Sequence, residues 1–147
     1  MARIKLMMAA LVMLFPLSQV SASESPQEIR HEMMEESKDA AKPVGKMLKG
    51  ELSFDAGMVM ESFETWDAIA RNFGDHFPEG TETGHDTEAK ATIWTDRAGF
   101  DKELAIFAEA VQAAIGADPQ SLEELKAAAG PVFKSCKSCH EGYRVED

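Results

Sequence analysis

The segment SCKSCHEGYR, residues 135–144, contains the only two cysteines of this 147-residue chain. Cys136 and Cys139 lie three positions apart, and His140 follows directly. Thiols at this spacing beside an imidazole can attach a porphyrin, form a disulfide, exchange disulfides with other proteins or bind a metal ion such as zinc. These chemistries need different surroundings, and the rest of the sequence distinguishes among them.

The motif C-x-x-C-H favours covalent haem attachment, for which it is the signature. On a helix, side chains three positions apart lie on one face, so both thiols can reach the two vinyl groups of one porphyrin. The histidine that follows offers an imidazole nitrogen to the haem iron. We therefore expect one haem c, attached through Cys136 and Cys139.

The other three chemistries fit the sequence less well. A disulfide between two cysteines on one helical turn closes a very small loop and stabilises little. A thiol–disulfide oxidoreductase motif requires a strand, a turn and a helix, and the sequence shows no convincing strand. A zinc site needs further ligands at matching spacing, which His31, His76 and His85 do not supply.

Residues 1–22 have the features of a secretory signal peptide. Arg3 and Lys5 precede an uncharged apolar run that extends from Leu6 to about Leu17, and small residues follow up to Ala22. A membrane-spanning helix needs about 20 apolar residues, and this run is shorter and contains Pro16. We expect cleavage after Ala22, export to a bacterial periplasm and no membrane anchor in the mature chain.

The mature chain, residues 23–147, is strongly acidic. Cleavage would remove two of the 15 lysines and arginines and none of the 26 acidic residues, which leaves a net charge of −13. Such a surface argues against a nucleic-acid partner, whose binding needs clustered cations, and suits attraction to a basic protein. The sequence shows no nucleophile with a base and no phosphate-binding loop, so we expect a binding or carrier protein rather than an enzyme.

Four stretches of the mature chain have helical periodicity. Apolar or small residues recur there at alternating spacings of three and four, the pattern that antiparallel helices bury against each other. The positions are Met34, Ser37, Ala41, Val44 and Leu48; Val59, Phe63, Trp66, Ala70 and Phe73; Phe100, Leu104, Phe107, Val111 and Ala114; and Leu122, Leu125, Ala129, Val132, Cys136, Cys139 and Tyr143. The pattern predicts an all-α protein, an antiparallel up-down-up-down four-helix bundle with covalently bound haem, in a single domain over residues 23–147.

The ends and the interiors of these helices carry further signals. A capping box at Ser25–Glu28 predicts the start of the first helix, and either Asp118-Pro119 or Ser121–Glu124 predicts the start of the fourth. Pro43 and Pro131 fall inside the first and fourth helices, where each removes a backbone hydrogen bond. We expect bends at both prolines, with six shorter helices as the alternative.

The chain resembles the class II cytochromes c, the cytochrome c′ family. The resemblance covers essentially all of the mature chain and lies in CKSCHEGYR, in LKAAAGPVFKSC before it, in FPEGTE and IWTDRAGF, and in an arginine followed four residues later by a large apolar residue, Arg30 and Met34. It implies that Cys136 and Cys139 hold the haem by thioether bonds and that His140 is the axial ligand of the iron. It also implies that Arg144 lies near the His140 face and that Arg30 approaches a haem propionate.

The function implied by the resemblance depends on Met34, the residue that would face the iron from the other side. In one branch of the family a methionine of the first helix ligates low-spin iron, and the protein passes electrons between redox partner proteins. In the high-spin cytochromes c′ an apolar side chain only screens the sixth position, which binds nitric oxide or carbon monoxide. We expect an electron carrier with His140/Met34 ligation; the gas-binding protein is the alternative, and His76 is a remote candidate ligand. Family members are often dimers through their first two helices, so a homodimer is also implied.

Overall fold

The computed structural model describes residues 24–145 of the chain. The signal peptide predicted for residues 1–22 therefore lies outside the described residues. None of the helices between residues 24 and 145 is long and apolar enough to cross a membrane.

The described chain folds into helices, with one isolated antiparallel bridge between Ala89 and Arg144 and no strand. In chain order the α-helices are α1 (Pro26–Leu48), α2 (Ala56–Asn72), α3 (Thr92–Thr95), α4 (Arg97–Ala117) and α5 (Leu122–Tyr143), and a 3-10 helix at Phe73–His76 extends α2. The four long helices contact one another in a ring, from α1 to α2, α4 and α5 and back to α1. The predicted all-α four-helix bundle is confirmed, with α3 as an additional single turn.

Side chains cap the long helices where the sequence indicates. The Ser25 side chain accepts a hydrogen bond from the Glu28 amide, and the Glu28 carboxylate accepts from the Ser25 amide at 2.8 Å, so the predicted capping box is formed. Ser121 caps α5, whereas Asp118 ends α4 in a left-handed conformation with φ of 41°. Of the two predicted starts for the last helix, the structure uses Ser121.

Both internal prolines lie within continuous helices. Pro43 is inside α1 and Pro131 is inside α5, so the alternative of six shorter helices is wrong. Each proline removes one amide donor, and packing of the apolar face stabilises the helix on either side of it.

The main core fills the interface among the four long helices. It contains Val44, Met47, Val59, Phe63, Trp66, Ile69, Val111, Ala114, Leu125, Ala129 and Val132. Leu122 was predicted for this seam, but it is 43% exposed because it occupies the first position of α5. Other predicted seam residues, including Met34, Leu104 and Phe107, are only partly buried, and the reason for their exposure is the cavity described below.

Candidate functional site

A cavity of about 530 Å³ opens among α1, α2, α4, α5 and the long connection before α3. Its volume falls within the range of ligand-binding pockets, roughly 300–1,000 Å³. All six site residues predicted from the sequence line it: Arg30, Met34, Cys136, Cys139, His140 and Arg144. The fold thus brings residues of the first and last helices into one site.

Helix α5 contributes the two thiols. Cys136 and Cys139 are free and partly buried. Burial raises the pKa of the Cys136 thiol, and burial, together with the negative charge of Glu103, raises the pKa of Cys139 to about 11. Disulfide-exchanging cysteines have lowered pKa values because the thiolate is the reactive form. The surroundings of this pair therefore raise the thiol pKa values, whereas an oxidoreductase site lowers the pKa of its reactive cysteine.

His140 follows the second thiol at the edge of the cavity. Partial burial and the positive charge of Arg144 lower the pKa of its imidazole, and Glu88 opposes that change. A lowered pKa favours the neutral imidazole, which is the form that binds a metal. Within residues 24–145 no group of three or more His, Cys, Asp or Glu side chains is arranged to hold a metal ion directly. His140 therefore fits an iron that a porphyrin already coordinates better than it fits a zinc site.

The wall formed by α1 and α2 leaves room for a large planar group. Ser37 and Ala41 stand at seam positions of α1 that line the cavity, and Met34 lies one turn before Ser37 and two turns before Ala41. The Trp66 indole N–H donates to the Ser37 carbonyl at 3.1 Å, which fixes α2 against α1 at this level. Two thiols and an imidazole on one wall, with small and apolar side chains on another, match the donors and the shape that a covalently bound haem requires.

Arg30 is buried, with 4% of its surface exposed, and holds the long connection against α1. Its two terminal nitrogens donate to the carbonyl of His76, to the hydroxyl and the carbonyl of Thr81 and to the hydroxyl of Thr87, at 2.9–3.0 Å. The guanidinium also lies over the Phe77 ring at 4.7 Å. Arg30 Nε has no hydrogen-bond partner. The terminal nitrogens of Arg30 are thus used to hold the connection, and the contact of Arg30 with a haem propionate stays a prediction.

Arg144 belongs to a second attachment of the same connection. Its Nε donates to the Glu88 carboxylate at 2.7 Å. Backbone hydrogen bonds run from Lys90 N–H to the Tyr143 carbonyl at 2.9 Å and from Val145 N–H to the Glu88 carbonyl at 2.7 Å. The connection is thus fixed to α1 at one end and to the end of α5 at the other, and residues 85–89 form part of the cavity wall.

The cavity wall also contains residues that were not predicted as parts of the site, among them two histidines and a glutamate. His31 and His85 line the cavity, whereas His76, the remote candidate ligand, does not. Glu103 of α4 also lines it, with a buried carboxylate oxygen. Its position was readable from the sequence, because it is three residues after Phe100 and four before Phe107, on the same face of the helix.

Comparison with known proteins agrees with this architecture. Residues 25–144 match the family described as cytochrome C′. A cytochrome c′ from Rhodopseudomonas palustris is 37% identical over 117 residues, which cover 80% of each protein, and a cytochrome c-556 from the same organism is 33% identical over 108 residues, which cover 71% of this chain and 72% of that protein. The structure of a cytochrome c′ from Rhodopseudomonas palustris superimposes with a TM-score of 0.81 and 34% identity, over 85% of this chain and 99% of that one. The chain therefore belongs to the cytochrome c′ family of class II c-type cytochromes and carries one covalently attached haem c.

Proposed function

We propose that this protein is a periplasmic cytochrome c′ that binds nitric oxide or carbon monoxide at an iron with one protein ligand, His140. The observation that carries the proposal is the apolar cavity wall contributed by α1 and α2. That wall contains Met34, Ile69 and Trp66 beside the small residues Ser37 and Ala41. If no side chain of an apolar pocket ligates the iron, its sixth position is accessible to a small diatomic gas.

The relatives support this reading over the electron carrier predicted from the sequence. Three proteins named cytochrome c′ match the chain at 33–37% identity. One matching structure, 28% identical with a TM-score of 0.66, is the nitric oxide complex of a mutant cytochrome c′ from Alcaligenes xylosoxidans. In such a protein Met34 screens the sixth position, a role that suits the flexible and apolar methionine side chain.

The electron carrier with His140/Met34 ligation is the second candidate. Two relatives are cytochromes c-556, and a structure of the cytochrome c556 of Rhodopseudomonas palustris superimposes with a TM-score of 0.70 and 30% identity. The Met34 side chain lines the cavity, and a thioether is a soft ligand that favours ferrous iron. In this reading the acidic chain would meet basic redox partner proteins.

We also propose that the protein forms a homodimer. One related cytochrome c′ structure, 26% identical with a TM-score of 0.76, is described as having a ligand-controlled dimer dissociation. A sedimentation measurement on this protein with and without carbon monoxide tests both the dimer and its response to the gas.

Substitution of Met34 by leucine separates the two candidates. If Met34 only screens the iron, Met34→Leu keeps the absorption spectrum of the high-spin iron, and the ferrous forms of both proteins bind carbon monoxide. Leucine has no sulfur, so a ligating Met34 predicts the reverse: a low-spin wild type with a weak long-wavelength charge-transfer band, which the substitution abolishes while opening the iron to carbon monoxide.

Met33→Leu is the matched control. Met33 is also a partly buried methionine packed against the main core, but unlike Met34 it does not line the cavity. It should leave both the spectrum and carbon monoxide binding unchanged. A low-spin wild type that Met34→Leu converts to high spin would contradict the gas-binding proposal.

A further inference from the structure

A partly buried glutamate in the cavity wall, Glu103, has no role in either candidate function. Glu103 Oε2 is inaccessible to solvent and has no hydrogen-bond partner, a condition that among the described side chains it shares only with Arg30 Nε. Leaving a buried polar atom unpaired costs roughly 1–3 kcal/mol, and native proteins contain few such atoms. A glutamate at this position therefore lowers the free energy of unfolding of the protein.

Glu103 lines the same cavity as Cys139, the second haem-attaching residue. Helix α4 packs against α5, and the charge of Glu103 helps to raise the pKa values of Cys139 and Tyr143. The Tyr143 hydroxyl donates a hydrogen bond to Asp96 Oδ2 at 3.0 Å, so this donor is not used by Glu103. The negative charge of Glu103 thus acts at the sulfur that forms one thioether bond.

The other carboxylates of the cavity wall differ from Glu103 in exposure or in pairing. They belong to Glu35, Asp86 and Glu88, and all three residues are exposed. Glu35 pairs with Lys38, and Glu88 pairs with Arg144. Exposed and paired charges are screened by water and by their partners. Of the four carboxylates, Glu103 therefore has the strongest effect on the electrostatic potential inside the cavity.

We propose that Glu103 sets the reduction potential of the haem by stabilising ferric over ferrous iron. Ferric haem carries one more positive charge than ferrous haem, and a nearby negative charge in a medium of low dielectric constant favours the more positive form. The inference depends on haem binding, which follows from the family, and it holds whichever ligand occupies the sixth position.

The test is a spectroelectrochemical titration of the holoprotein, in which an electrode and mediators supply the electron that reduces ferric to ferrous iron. Glu103→Gln keeps the shape of the side chain and removes its charge. We expect the ferrous-to-ferric ratio at a fixed electrode potential to increase on the order of tenfold, which is about 59 mV for a one-electron couple. This shift should persist at high salt, because buried charges are screened little.

Asp86→Asn is the matched control, since it removes a negative charge from the exposed rim of the same cavity. Its effect should be smaller and should disappear at high salt. Glu103→Asp, which keeps the charge, should retain a potential close to that of the wild type. An unchanged midpoint potential in Glu103→Gln, or a shift no larger than that of Asp86→Asn, would overturn the proposal.

Discussion

Cys136 and Cys139 face a cavity that raises the pKa values of both thiols. A protonated thiol is a poor nucleophile, so these surroundings disfavour the disulfide exchange that the C-x-x-C spacing would otherwise permit. Permanent thioether bonds to haem use the same two sulfur atoms without needing a thiolate in the finished protein. At the scale of single residues, the environment therefore selects one chemistry from several that the motif allows.

Removal of the thiols should separate covalent attachment from folding. Cys136→Ala and Cys139→Ala each delete one thioether bond, so both should give low yields of holoprotein. In the double variant, acid–acetone should extract whatever haem remains. Ser138→Ala, an exposed position between the two cysteines, should behave as the wild type. Haem that stays with the double variant through this extraction would contradict a thioether attachment at these residues.

The motif residues could be predicted because their chemistry depends on neighbours along the chain. Spacing alone places two thiols and an imidazole together on one helical face. The contacts of Arg30 could not be predicted in the same way, because its acceptors lie 46 to 57 positions away. The unpaired oxygen of Glu103 likewise exists only because α4 and α5 pack together beside a cavity.

At the scale of helices, a shared contact joins the start of α4 to the end of α5. The Asp96 carboxylate caps α4 by accepting from the Gly99 amide at 3.2 Å, and it also accepts from the Tyr143 hydroxyl at 3.0 Å. An added Cβ at Gly99 would overlap both the Asp96 carboxylate and the Tyr143 hydroxyl. This glycine is needed for the close approach of the two helices, one of which carries His140.

Substitution of Gly99 by alanine should consequently destabilise the protein. Forcing an extra methyl group into a filled space costs about 1–3 kcal/mol, which urea denaturation of the holoprotein measures. Gly116→Ala is the control within α4, because apart from its chain neighbours nothing lies within 4 Å of the added Cβ there, and it should leave the stability unchanged or raise it by up to about 1 kcal/mol. A Gly99→Ala variant as stable as the wild type would show that Asp96 and Tyr143 move apart at no cost.

The long helices could be predicted because their sequence signals span only a few residues. The structure of the connection before α3 could not be predicted in this way. Alternating apolar spacing predicted α1, α2, α4 and α5, and capping residues predicted the starts of α1 and α5. Pro43 and Pro131 lie inside continuous helices, as predicted, because tertiary packing stabilises α1 and α5 around them. The 3-10 helix and α3 depend on a second apolar cluster of Phe77, Ile93 and Phe100, and its members come from separate segments of the chain.

The whole molecule combines a filled core with a cavity in one bundle. The cavity lies where seam positions carry Ser37 and Ala41 in place of larger side chains and where Leu104 and Phe107 stay partly exposed. The connection fixed by Arg30 and Arg144 completes the wall. The sequence predicted the bundle and the cofactor, whereas the state of the sixth iron position depends on the Met34 side chain relative to the haem, which helical periodicity alone does not define.

Resonance Raman spectroscopy of the unmutated ferric and ferrous protein tests the proposed function most directly. Its marker bands report the spin state and the number of axial ligands of the iron. With His140 as the one protein ligand and Met34 as a screen, both oxidation states should be five-coordinate and high-spin, and carbon monoxide should convert the ferrous form to a six-coordinate low-spin complex. Six-coordinate low-spin iron in both oxidation states without added ligand would contradict the account and establish the electron carrier.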